Sequence, residues 1–91
     1  NNPFNVQLRI SLEFHMPIAA STSKKKCVAL DGTYHTNTPD IDNLIKYVLD
    51  VGNDILWTDD SIVCELTAVK TYSTEPKTII SIEEIKKGSG N

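Results

Sequence analysis

Four aspartates and one lysine offer chemistry in this sequence. Asp40, Asp42 and Lys46 lie in the run Pro39-Asp-Ile-Asp-Asn-Leu-Ile-Lys46, and Asp59 and Asp60 lie in Trp57-Thr-Asp-Asp60. Carboxylates gathered at one point repel unless something cationic sits among them. Hard oxygen ligands of this kind suit Mg²⁺ or Mn²⁺, which keep several waters and use few carboxylates. A purely structural reading stands beside this one. Asp and Asn are ordinary helix caps, Asp42 and Lys46 have the spacing of an ordinary helical ion pair, and Asp59-Asp60-Ser61 has the composition of a solvated turn.

The elements that must position these residues follow from periodicity. Apolar residues at 41, 44, 45, 48 and 49 predict a helix with one buried face. Thr38 or Asp40 can cap it, Pro39 suits its start and Gly52 its stop. At ~100° per residue, Asp40 and Asp42 diverge if both are helical, so convergence requires Asp40 at or before the cap and Asp42 in the first turn. Asp59 and Asp60 must then return to the same end. A helix over 42–51 is ~15 Å long and residues 52–59 can span ~26 Å when extended, so the return is within reach.

Around that helix, residues 4–16 alternate strictly between apolar and polar, which predicts a strand buried on one face, with His15 on the polar face. Residues 18–38 predict a mobile basic loop or a short helix through Lys24 to Leu30, capped by Ser21 or Ser23. Tyr34 and His35 just precede the acidic motif, where they could border a bound strand, and neither is given a chemical role. Trp57, among apolar neighbours, is expected to anchor packing. Residues 61–72 and 78–85 read as two strands joined in an antiparallel hairpin. In 61–72, Ile62, Cys64, Leu66 and Ala68 share one face, and Val63 joins Glu65 and Thr67 on the other. Residues 86–91 read as a frayed tail. The sum is one α+β domain over residues 1–91, a small and mostly antiparallel sheet with a helix on one face. Its edges leave surface that a second copy could cover.

Ninety-one residues with a net charge of −3 do not advertise a nucleic-acid binder. The distribution says more. Residues 40–60 hold six acids against Lys46 alone, and the rest of the chain carries a small positive excess that includes Lys24, Lys25 and Lys26. A divalent ion at the acidic block would leave those lysines free to meet phosphates. Cys27 and Cys64 lack metal-ligand spacing and read as reduced thiols of a cytoplasmic protein. No apolar run approaches membrane-spanning length.

The run from Pro39 to Lys46, then Val48-Leu49-Asp50, then Ile55-Leu-Trp-Thr-Asp-Asp-Ser61 resembles the RusA family of Holliday junction resolvases. The similarity extends over roughly residues 12–85, including Val69-Lys-Thr-Tyr72 and Thr78-Ile-Ile-Ser-Ile82. Its most specific element is Asp-x-Asp-Asn-x-x-Lys combined with Trp-x-Asp-Asp at this separation. The resemblance implies a homodimer, encoded by a bacterium or prophage, that nicks four-way DNA junctions symmetrically with Mg²⁺, or Mn²⁺ in its place. It implies metal binding by Asp40, Asp42 and Asp60 and an essential cationic role for Lys46. Asp59 and Asn43 rank below these as supporting groups, with helix capping favoured for Asn43 and a structural role for Asp50. Lys24, Lys25, Lys26 and Lys46 are the expected DNA contacts. Members of that family carry an extra amino-terminal segment that does not precede Asn1 in this sequence.

Two other functions compete with the nuclease. One is a junction-binding module without cleavage, which predicts binding and no nick even with Mn²⁺. The other is a structural domain whose acids bind a stabilising cation, which predicts no DNA affinity. Neither requires Asp40, Asp42, Lys46 and Asp60 together.

Overall fold

The computed structural model describes residues 2–86. The elements in chain order are β1 (Leu8–Pro17), α1 (Lys24–Leu30), α2 (Ile41–Gly52), a 3₁₀ turn over Asp60–Ile62, β2 (Val63–Ser73) and β3 (Lys77–Glu84). The alternation of β1 puts Leu8, Ile10, Leu12 and Phe14 on one face, where each is at most 2% exposed. The half-buried Leu44, Ile45 and Leu49 and the buried Val48 of α2 pack against that face. Each such side chain contributes roughly 1.5–3 kcal/mol when fully buried, an upper figure because unfolded chains are themselves partly compact. The α+β arrangement with one covering helix is the one expected.

The strand pairing is not. The sheet order is β2-β1-β3, so the predicted hairpin of residues 61–72 with 78–85 does not form. β1 lies between them, parallel to β2 and antiparallel to β3. The physical reason is that β1 alone has a face buried along its length, and a central position gives both of its edges a partner. The parallel pairing needs a long crossover, which residues 18–62 supply with both helices.

A register shift between Leu8 and Arg9 adds a second correction. Leu8 faces Val63 and Arg9 faces Glu65, so Cys64 is the extra residue of a bulge. The side-chain alternation slips by one there. Val63 therefore joins Leu66 and Ala68 against the core rather than sharing the outer face with Glu65. On that outer face, Arg9 donates to Glu65 at 2.9 and 3.0 Å and to Glu83 at 3.0 Å. The guanidinium holds the Glu65 carboxyl below its usual range.

Gly52 ends α2 beneath Trp57, which is fully buried and donates from Nε1 to Asn53 Oδ1 at 2.9 Å. The tryptophan is the packing anchor expected. Residues 18–38 carry the predicted short helix, capped by Ser23 Oγ on the Lys26 amide at 3.2 Å. The following residues lie along the outer edge of β2. Gly32 N–H donates to Tyr72 O, Tyr72 N–H to Thr33 O and His35 N–H to Lys70 O. Cys27 and Cys64 are unbridged. Among the described residues no helix is long and apolar enough to cross a membrane. Apart from Lys86, the tail predicted at 86–91 lies outside the described residues.

Candidate active site

The head of α2 presents Asp40 and Asp42, both exposed. Asp40 is the N-cap residue, extended at φ −67° and ψ 147°. Its carbonyl accepts from the Asn43 and Leu44 amides at 3.1 and 3.2 Å, yet its side chain makes no capping bond. The carboxylate is thus left uncommitted at the positive end of the helix dipole. Asp42 Oδ1 accepts only from the adjacent Asn43 amide, at 3.0 Å. Asn43 enters through its backbone, and the cap position that the sequence reading favoured for it belongs to Asp40.

β2 holds the loop that leads into this helix. Lys70 Nζ donates to the carbonyl oxygens of Asn37 and, at 2.7 Å, Pro39. Asn37 Nδ2 donates to Tyr72 Oη at 2.9 Å. A cationic donor on the carbonyls either side of Thr38 fixes the backbone immediately before Asp40, and such charge-assisted bonds are worth more than neutral ones. Sequence reasoning missed Lys70 and Tyr72, because their partners lie more than thirty residues away. No local pattern marks them.

His35, read from the sequence only as a residue that could border a bound strand, joins the same cluster. It is 9% exposed, its ring centroid lies 4.7 Å from that of Tyr72, and Nδ1 is buried without a partner. Burial, and then the charge of Lys70, push its pKa below 6.5. A group whose folded pKa is depressed in this way binds fewer protons folded than unfolded. Its contribution is present above 6.5 and is lost as pH falls from 6.5 toward the lower folded value. Thermal unfolding should show His35→Phe losing less stability than wild type between pH 7 and pH 5. Parallel pH profiles for the two proteins would refute this assignment.

Lys46 is turned away from Asp42. Its Nζ donates to Asp50 Oδ2 at 3.2 Å, one turn further along α2, with both side chains mostly in solvent. The i, i+4 ion pair that Lys46 forms is therefore with Asp50 and not with Asp42. An exposed pair at this spacing is worth only ~0.3–0.5 kcal/mol, so an incoming phosphate can displace Asp50. Asp59 Oδ2 accepts from the Ser61 amide at 2.9 Å and caps the 3₁₀ turn, and that bond holds its carboxyl below the usual range. Asp60, partly buried, opens the turn.

The predicted return of Asp59 and Asp60 to the head of α2 does not occur within one chain. Asp40 lies beside Ala68, Val69 and Lys70, whereas Asp60 leads into Val63 at the other end of β2. The span from Val63 to Lys70 is ~23 Å at ~3.3 Å per strand residue. The cause lies in residues 52–57, which coil instead of extending. Gly52 O accepts from the amides of Ile55, Leu56 and Trp57 at 3.1, 2.7 and 3.3 Å, and Asp54 takes a positive φ of 68°. Among the described residues no three histidine, cysteine or acidic side chains gather closely enough to hold a metal ion. Asp40 and Asp42 by themselves fit the donor chemistry of Mg²⁺, which takes one or two carboxylates together with water and substrate phosphate.

These features define a small α+β domain with a mixed three-stranded sheet and an exposed carboxylate pair at a braced helix head. The chain belongs to the endodeoxyribonuclease RusA family, whose model matches residues 1–83. It is 37% identical over 82 residues to the uncharacterized protein YqaN of Bacillus subtilis (strain 168), covering 88% of this chain and 58% of that one. The chain thus spans less than two thirds of the relative's length. No solved structure matches it.

Proposed function

We propose that this chain is a metal-dependent endodeoxyribonuclease that resolves four-way DNA junctions by paired symmetric nicks, with a place in recombination and repair. The observation that carries the proposal is the Asp40 and Asp42 pair, open at a helix head that Lys70 braces, in a member of an endodeoxyribonuclease family. Asp40 and Asp42 hold Mg²⁺, or Mn²⁺ in its place. When bound there, such an ion would supply an activated water and offset charge at the phosphate. Lys46, freed from Asp50, sits four residues after Asp42 and stabilises the charge that develops on the scissile phosphate or the leaving oxygen. Lys24, Lys25 and Lys26 are exposed on α1 and take neighbouring phosphates, an interaction that weakens as salt rises.

The active form in this reading is a homodimer. A two-fold axis that set two copies antiparallel along α2 would bring Asp60 of one toward Asp40 and Asp42 of the other. Each metal site would then draw on both copies, and the two sites would match the two-fold symmetry of a four-way junction.

The test is cleavage of an end-labelled four-way junction with Mg²⁺, run beside a linear duplex and Asp42→Asn. Groups that merely orient a metal's ligands cost ~10–100-fold when removed, so the loss of a ligand should cost more than about 100-fold. Paired nicks that vanish in Asp42→Asn support the proposal. Junction binding without any nick, in Mg²⁺ or Mn²⁺, replaces it with a binding module. Neither binding nor cutting refutes both readings.

A further inference from the structure

The chemistry above leaves unused a cleft of about 450 Å³ between α1 and the loop that enters α2. It is lined by apolar Met16, Pro17 and Leu30, by the rings of His35 and Tyr72, and by Lys26. Its volume falls within the ~300–1,000 Å³ of ordinary small-ligand sites. An aromatic surface beside a cation is the combination that holds unpaired nucleotides, the base stacking on the ring and the phosphate meeting the positive charge.

Two hydrogen-bonding groups here are not used up by the protein. The imidazole of His35 is nine-tenths buried and its Nδ1 has no partner. Native structures leave few buried polar atoms in that state, and a site awaiting a ligand is one setting for it. Asn37 spends its amide nitrogen on Tyr72, which leaves Oδ1 free to accept from a base edge. The cleft also reaches Thr38 and Pro39, so it adjoins the carboxylate of Asp40.

We propose that this cleft seats one unpaired nucleotide of a DNA strand, with its base against Tyr72 and His35 and its phosphate toward Lys26. The identification of the ligand as DNA rests on the nuclease reading, while the cleft itself is tested without cleavage. The ¹⁵N-labelled chain is titrated, free of metal, with a short oligothymidylate and separately with thymidine monophosphate. Saturable amide shifts are expected at Lys26, His35, Asn37 and Tyr72, with the oligonucleotide binding about tenfold tighter because flanking phosphates add contacts. Tyr72→Leu should weaken oligonucleotide binding about tenfold by removing a stacking surface. Ala19→Trp, at an exposed position lining the cleft, should fill it and abolish the shifts while the rest of the spectrum keeps its dispersion.

Shifts that are absent, or that survive Ala19→Trp, overturn the proposal. Equal affinity for the monophosphate and the oligonucleotide overturns the strand and leaves a free-nucleotide site. A chain that cuts junctions while its cleft stays silent refutes this inference alone. A responsive cleft in a chain that never cuts keeps the nucleotide site and removes the nuclease.

Discussion

Mixing two inactive variants should restore nicking. Asp42→Asn and Asp60→Asn are each expected to abolish junction cleavage, and each lesion sits on a different part of the chain. In a homodimer whose sites draw Asp42 from one copy and Asp60 from the other, co-refolding produces heterodimers with both lesions in one site and none in the second. About a quarter of wild-type nicking should return, because half of the dimers are mixed and each carries one intact site. The restored reaction should also differ in kind, with single nicks in place of paired ones, since one site per dimer works. Sites built within one chain would behave otherwise, because every site of every dimer would then carry a lesion and the mixture would stay dead. That outcome would require residues 52–57 to uncoil on binding DNA and carry Asp60 to the head of α2.

Gly52→Ala should be the more damaging of the two glycine-to-alanine changes among the described residues. A Cβ at this position would overlap three indole carbons of Trp57. Neither side of that contact can yield cheaply, since the indole is fully buried among Leu8, Ile10, Leu12 and Phe14, and Asn53 holds its N–H. Overpacking of a closed core costs ~1–3 kcal/mol. At about 2 kcal/mol, a domain of this size loses about 8–16 °C in Tm. Gly32→Ala is the matched control. It stands at φ +87° with nothing within 4 Å of the added carbon, so only backbone strain opposes it. That strain is worth ~1–2 kcal/mol, and its cost leaves tryptophan fluorescence untouched. A Gly52→Ala protein that melts with wild type, or keeps its native tryptophan emission maximum, would rule out this packing.

The sequence made α2 and β1 legible because each satisfies a short-range pattern. The apolar positions 44, 45, 48 and 49 face the core as the 3.6-residue period requires, and the alternation from Leu8 to Phe14 is realised in full. Phe4 and Val6 continue the same alternation yet are exposed, and only Phe4 finds a partner, an isolated bridge to Trp57. The hairpin expectation failed because proximity in sequence suggested that β2 pairs with β3, whereas the apolar face of β1 draws both. The bulge at Cys64 was invisible for a related reason, since period two carries no mark of where it slips. At the candidate site, the residue types around Asp40 and Asp42 were readable. The reach of 52–59 holds only for an extended chain, and the carbonyl of Gly52 gathers three amides that shorten it. His35, Lys70 and Tyr72 act through contacts that only the pairing of residues 32–35 with the end of β2 creates.

The central place of β1 also bears on how the molecule is made. Leu8 pairs with both Val63 and Glu84, so the strand that organises the sheet is translated long before either neighbour leaves the ribosome. Until then its row of apolar side chains has no sheet to join. Pairings so distant in sequence close slowly, because loop entropy is lost before the contacts repay it. Between the emergence of β1 and that of β2 and β3, its apolar row stays unpaired, the kind of transiently exposed strand surface that promotes aggregation.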